Sequence, residues 1–466
     1  MKKVVLMLFI FCECLTAQNV VKQALVLNEG SYDYITGEIT TPVTIGSYDP
    51  LTTNYSIVDT IEDARFASDM LIDGDYFYVA ADTQLLKYDL NTYELIATQA
   101  VSGVRNICIV DDNLFVSRGE YGISFDSYLQ IYSKSDLSFI SQFDTTNGPK
   151  WTTQNMVHTD DKLFVAINNG FVWGDEKSLI GVVDLSTLEY LEEIDLGTDG
   201  TNPDNMMITE EFIYTVNNKN WSGASFSKVD LSSFAASTIN VSDASTGCGT
   251  SCLRGDKINF QISLDSVLLE WDPATFTSAG NALGINQNFY ELAHDEVNDY
   301  LYATSTDYTT FGKVHIYDTD NNLVTEFDCG ISPGTIVFEV QEVVATTWNC
   351  ESDACVDVMD GSGVYSSIED CEAACELVSI EESEILFVNV YPNPSSNFFN
   401  IEFDINQLQN VNISVSNILG QEVYKKGILA QGRFTESINL SDYPKGIYNL
   451  KVNTLEKKSS HKLILK

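Results

Sequence analysis

Side chains able to do covalent chemistry are scarce in this 466-residue chain. Of its four histidines, His461 lies in the C-terminal segment and His315 sits mid-strand, which leaves His158 and His294 as possible bases of near-neutral pKa. No Gly-x-Ser-x-Gly elbow, His-Glu-x-x-His pair or phosphate-binding glycine loop accompanies them. No catalytic residue, metal ligand or cofactor is therefore assigned. Groups suited to holding a ligand are more prominent. Arg65, Arg105 and Arg254 are three of only five arginines, and with Asn155, Asn205 and Tyr290 they fall at corresponding places in a repeat. A ring of such donors suits an anionic or amide-rich ligand, whereas the structural reading pairs the arginines with neighbouring carboxylates. Trp151, Trp173 and Trp221 fall in long inter-strand loops. There an indole either stacks on a sugar or other ring, or merely covers the top of the fold.

The repeat that aligns these residues is a strand ending in an apolar residue plus Asp or Ser, a short turn, and another strand. Its anchors are Tyr48-Asp49, Tyr88-Asp89, Tyr132-Ser133, Val183-Asp184, Val229-Asp230, Trp271-Asp272 and Tyr317-Asp318, about 40 to 51 residues apart. The Asp and a following Ser, Thr or Asn can bond nearby backbone and close a hairpin. Before each anchor lies a second strand, such as Tyr76–Ala80, Leu163–Ala166 or Phe212–Val216, often preceded by a tight turn such as Asp73-Gly74-Asp75. Four strands per unit and seven units predict a seven-bladed β-propeller over residues 18–345. The first unit starts midway, at Ala24–Gly30, and the last inner strand, Gly334–Val340, comes far later. The two ends of the region are thus expected to close the ring within one blade, leaving no exposed sheet edge between blades.

With its repeats and its Asn28-Glu29-Gly30 opening, this region resembles extracytoplasmic propellers with YVTN-like repeats. The resemblance implies the fold and leaves the activity open, because propellers host many functions. The expected function is capture of a small molecule, nutrient, cofactor, glycan or surface protein at the funnel face. One version resembles the surface propellers that bind cobalamin, although those are typically lipid-anchored. The alternatives are a hydrolase or lactonase with a channel metal, a quinone-dependent oxidoreductase, and an adhesion or scaffold protein.

The ends of the chain set the compartment. Lys2 and Lys3, the apolar run Val4–Phe11 and Leu15-Thr16-Ala17 read as a signal peptide over residues 1–17. No stretch is long enough for a transmembrane helix. A net charge of −42 argues against nucleic acid or an anionic membrane as partner. Between residues 346 and 378, Cys350, Cys355, Cys371 and Cys375 read as two disulfides stapling a small module; zinc is disfavoured because the C-x₂-C spacing is missing. Cys248 and Cys252 are a further candidate pair. Residues 386–466 turn mildly basic and alternate like a small β-sandwich. Tyr391-Pro392-Asn393-Pro394, the turn at Gly420, and Gly446 with Tyr448 resemble the type A sorting domain of the type IX secretion system. That resemblance implies the type IX machinery as partner, transit of the outer membrane, removal of this domain, and anchoring on the cell surface or release.

Overall fold

The computed structural model describes residues 18–246, 251–262, 266–343, 347–351, 354–358, 363–365, 367–378, 387–454 and 457–466. The expected signal segment 1–17 and Cys248 lie outside them. The chain divides into two compact units, with the boundary after Val344.

The first unit is a seven-bladed β-propeller, each blade a four-stranded antiparallel sheet. Blade 1 takes its inner strand, Pro333–Val343, from the far end of the unit, and this strand pairs with Gln18–Asn28 from Gln18↔Val343 to Asn28↔Pro333. Blades 2 to 7 are contiguous in sequence, with inner strands Ala67–Asp73, Val104–Val110, Thr153–His158, Pro203–Ile208, Ser251–Arg254 and Leu292–Asp295.

Burial explains the composition of each blade. Second strands such as Tyr76–Ala81 are covered on both faces by neighbouring blades, so they read as continuous apolar runs. Outermost strands such as Leu95–Ala100 alternate, because one face meets water. The side-chain period of two then shares each second strand between two interfaces. Phe77, Val79 and Ala81 pack with blade 1, and Tyr78 and Ala80 pack with blade 3. The core is accordingly seven slabs, one per blade junction, including the junction of blade 7 with blade 1.

The anchor aspartates behave as the repeat predicts. Asp184 accepts the Ser186 and Thr187 N–H groups at 2.9 Å each, and Asp89, Asp230 and Asp272 cap their turns in the same way. Four residues after the anchor, in six of the blades, the backbone turns left-handed at a residue that is not glycine: Thr53, Tyr93, Leu137, Leu188, Phe234 and Phe276. Such a φ costs roughly 1–2 kcal/mol for an L-residue. From Tyr93 onward, the conformation drives a large apolar side chain into the slab shared with the preceding blade. Leu137 is fully buried there. Leu137→Ala is expected to lower the free energy of unfolding by about 2–5 kcal/mol. Leu137→Gly should be less damaging than Ala, because glycine relieves the left-handed strain. Denaturant titration of the three proteins checks that order, and an alanine variant more stable than the glycine variant would refute the plug.

The second unit opens with a hairpin, Thr347–Glu351 and Ala354–Val358, and the only α-helix among the described residues, Ile368–Val378. Ser367 caps the helix through the Asp370 N–H. Cys350 and Cys355 face each other across the hairpin, while Cys371 and Cys375 lie one helical turn apart. Two nested disulfides result, Cys350–Cys375 and Cys355–Cys371. The sequence left that connectivity open. Elsewhere Cys252, Cys108 and Cys329 are free thiols.

The C-terminal strands Val388–Tyr391, Phe398–Asn417, Glu422–Asn439, Gly446–Asn453 and Lys458–Leu465 form one hydrogen-bonded sheet. The twenty-residue strand pairs with Val388–Tyr391 over its first part and with Gly446–Asn453 over its last. Its register against Glu422–Asn439 breaks between Ile405 and Gln409. The expected sandwich is thus a single sheet folded over one core that includes Phe399, Ile413, Leu450 and Leu463. The motif residues are structural. Asn393 donates to the Lys462 carbonyl and accepts the Ile464 N–H, Tyr448 bonds the Pro444 carbonyl, and Gly420 turns at φ +81°.

Candidate functional site

In an antiparallel blade the inner strand starts, and the second strand ends, on the same face of the ring. The mouth of the central channel on that face is a funnel. At the leading ends of the inner strands of blades 2 to 5 the register slips, between Ala67 and Asp69, Val104 and Ile107, Thr153 and Met156, and Pro203 and Asn205. A bulge there turns consecutive polar residues toward the axis and frees groups from the ladder.

Some freed groups stitch blade to blade. Asp69 accepts the Ile107 N–H at 2.9 Å and the Asn106 amide at 3.2 Å, Asn155 accepts the Met206 N–H at 3.2 Å, and Asn205 donates to the Ser251 carbonyl at 2.8 Å. The same residues line a polar cavity of about 460 Å³. Arg105 crosses it, donating to the Gln154 carboxamide at 3.3 Å, with its guanidinium 5.9 Å and 5.0 Å from the ring centres of Phe66 and Phe171.

Around Arg105 stand four carboxylates, Glu29, Asp69, Asp204 and Glu291. Each lies deep in the molecule yet keeps some surface open to the channel. Burial raises Glu29 to about 7 and Asp69 and Asp204 to about 6, against the opposing pull of Arg105 on all three. Glu291 is pushed well above the usual carboxylate range by burial and by repulsion from the other three. The Tyr290 hydroxyl donates to Glu29 at 2.9 Å, and the Tyr290 ring meets Tyr308 edge-on at 5.4 Å. The four carboxylates share one electrostatic field, and among the described residues Arg105 is the only cationic one lining the cavity.

This arrangement differs from a ring of arginines. Arg65 lies outside the lining, held by Asp82 at 2.9–3.0 Å through Nε and by Glu120 at 3.0 Å. Arg254 sits at the opposite end of its strand, because the inner strand of blade 6 spans only Ser251–Arg254. There it bonds Asn321 at 2.7 Å and the Asp318 carbonyl, so it joins blade 6 to the one anchor turn whose left-handed residue is an asparagine. Repeat counting misplaced it for that reason. Arg105, Asn155, Asn205, Tyr290 and Trp221 line the cavity. Trp151 is packed against the slab between blades 3 and 4, with Lys177 over its ring at 5.1 Å, and Trp173 projects into solvent. None of the histidines is part of the lining; His315, for example, has its pKa lowered by burial, against the pull of Glu326. The carboxylates were missed because nothing separates them from the other acidic residues among 67, although Asp204 and Glu291 adjoin two of the residues singled out.

Among the described residues, three metal-type ligand atoms come within 4.8 Å of one another only at Cys355, Cys371 and Cys375, whose sulfurs are in disulfides. No three funnel carboxylates are close enough to clasp a bare metal ion together. Each can accept charge-assisted hydrogen bonds from N–H donors.

Residues 389–466 match the secretion system C-terminal sorting domain family. No curated protein sequence matches the chain. Among solved structures, a candidate 6-phosphogluconolactonase from Bacteroides fragilis is 13% identical, with a TM-score of 0.50 over 68% of this chain and 98% of that one. BamB from Moraxella catarrhalis is 12% identical, with a TM-score of 0.41 over 70% of this chain and 98% of its own. The likeness to the lactonase-like structure extends, at this identity, to the propeller fold and no further. No helix among the described residues is long and apolar enough to cross a membrane. The sorting domain marks the chain for type IX secretion and display at the cell surface.

Proposed function

We propose that this type IX-exported propeller is a binding protein that captures a ligand in its funnel through a positively charged, donor-rich group such as a protonated amine or a guanidinium. The observation that supports this reading is the set of four desolvated carboxylates, Glu29, Asp69, Asp204 and Glu291, around a single guanidinium in a cavity of about 460 Å³. A cation entering the cavity offsets their mutual repulsion and replaces lost water with charge-assisted hydrogen bonds, each worth about 1.5–3 kcal/mol.

The pKa shifts set the pH at which this is tested. A carboxyl whose folded pKa is raised contributes stability below its unfolded pKa and loses it as pH rises through the folded value. For Glu29, Asp69 and Asp204 the loss runs from about 4 to about 7. The exposed turn aspartates act oppositely. Asp184, lowered to about 2 by the Ser186 hydroxyl and the Thr187 N–H, gives stability that is lost as pH falls from about 4 to about 2. The free protein should therefore melt highest near pH 4 to 5, and its Tm should fall toward pH 8. Arginine methylamide should restore Tm at pH 8 and do little at pH 5. Differential scanning calorimetry at the two pH values decides the matter. No shift at pH 8, or a larger shift from a dicarboxylate such as glutarate, would sink the proposal.

A further inference from the structure

Five of the seven blades carry, on the funnel face, a second-to-third strand connection that ends in solvent-exposed aromatics. Tyr34 lies at the tip of the hairpin Ser31–Asp33/Glu38–Thr41 in blade 1, and Tyr121, Trp173 and Trp221 occupy the corresponding loops of blades 3, 4 and 5. Tyr308 and Phe311 do so in blade 7. Tyr34, Tyr121 and Trp173 are 78%, 79% and 75% exposed. Large aromatics at that exposure leave apolar area in water, and when grouped on one face they mark an interaction surface.

The backbone supports the same conclusion. Trp221 and Tyr308 are held left-handed, at φ 61° and 63°. At the anchor turns of blades 2 to 6 the same strain is offset by burying the side chain between blades. At Trp221 and Tyr308 it holds aromatics that remain 49% and 59% exposed, so what it secures is a position on the rim. The rim is also continuous with the funnel. Trp221 lines the cavity, and Tyr308 packs on Tyr290, which bonds Glu29.

Resting on the funnel reading above, we infer that the funnel face docks a protein segment, which inserts one lysine or arginine side chain among the carboxylates while its flanking apolar residues pack on the aromatic rim. Size and charge argue for this occupant. A cavity of about 460 Å³ takes a side chain or a small molecule, and a ligand confined to it does not reach Tyr34, Tyr121 or Trp173, none of which lines it. A partner that spans the rim does. A desolvated cationic anchor inside a collar of aromatics is the usual anatomy of a protein-binding hot spot. The net charge of −42 repels an anionic lipid surface and attracts a basic segment.

The test uses the full secreted chain at pH 8 and three probes: lysine methylamide, a labelled heptapeptide with one central lysine flanked by leucines, and a hexamer of glucosamine. The peptide should bind at least tenfold tighter than lysine methylamide. The double substitution Tyr121→Ala, Trp173→Ala should erase that gain and leave lysine methylamide binding as it was. Equal affinities for amine and peptide, with no effect of the rim substitutions, would overturn the docking inference and leave the funnel reading standing. Failure of all three probes would overturn both. Tighter binding of the glucosamine hexamer, whose amines are mostly neutral at pH 8, than of the peptide would overturn the inserted cation and put a glycan on the aromatic rim.

Discussion

A chain lacking residues 333–343, with the sorting domain retained, is expected not to fold its propeller. This segment is the inner strand of blade 1 and pairs with Gln18–Asn28 along nearly its whole length. Without it, Gln18–Asn28 becomes an open edge facing the channel, and the slab joining blades 7 and 1 loses Ile336 and Phe338. Contacts between blades 1 and 7 then have nothing to hold them in register. The effect extends to the site, because Gly334 and Thr335 line the funnel and the backbone of Gly334 lies directly against the Glu29 side chain. The deletion should remove the cooperative thermal transition and the slow hydrogen exchange of all seven second strands. Adding the eleven-residue peptide in trans should restore part of both, as strand addition does elsewhere. Retention of the parent Tm by the deleted chain would show that the ring is held by something other than this closure.

The second large effect is expected from Glu29→Gln combined with Glu291→Gln. Both substitutions keep shape and remove charge. They should weaken arginine methylamide binding at pH 8 by tenfold to a hundredfold, or about 1.4–2.8 kcal/mol. The double variant should also melt higher than the parent at pH 8, by several degrees, because two carboxyl groups whose ionisation burial opposes are replaced by neutral amides beside Asp69 and Asp204. The sign reverses nothing at pH 5. There Glu29, raised to about 7, and Glu291, which burial pushes well above the usual carboxylate range, are largely protonated in the parent, so the two proteins should melt together. A gain in stability with a loss of binding is the signature of residues kept for function. If the double variant were less stable than the parent at pH 8, the carboxylates would be structural.

The fold was legible in the sequence because a propeller repeats its physics. The anchor aspartates and the doubly buried second strands recur wherever a blade does, and the late strand at Gly334–Val340 told how the ring closes. The sorting domain was legible because several motifs stand in order over eighty residues. The site was less so. Arg254 was placed by averaging a repeat whose sixth copy has a four-residue inner strand. The left-handed plugs were invisible because tyrosine, leucine and phenylalanine occupy them instead of glycine. The funnel carboxylates carry no local signature, since what makes Asp204 unlike Asp230 is depth, and depth is a property of the closed ring. Disulfide pairing followed the same rule: four cysteines admit three pairings, and the packing of the helix on the hairpin selects one.

The position of the closing strand also bears on biosynthesis. About 45 residues separate Val343 from the start of the sorting domain at residue 389. At a synthesis rate of roughly 5–20 residues per second, the last structural requirement of the cargo and its export label emerge within seconds of each other. A chain cut short anywhere before residue 343 has an open ring and no label. The order of segments within the chain thus makes display certify that a chain was long enough to close.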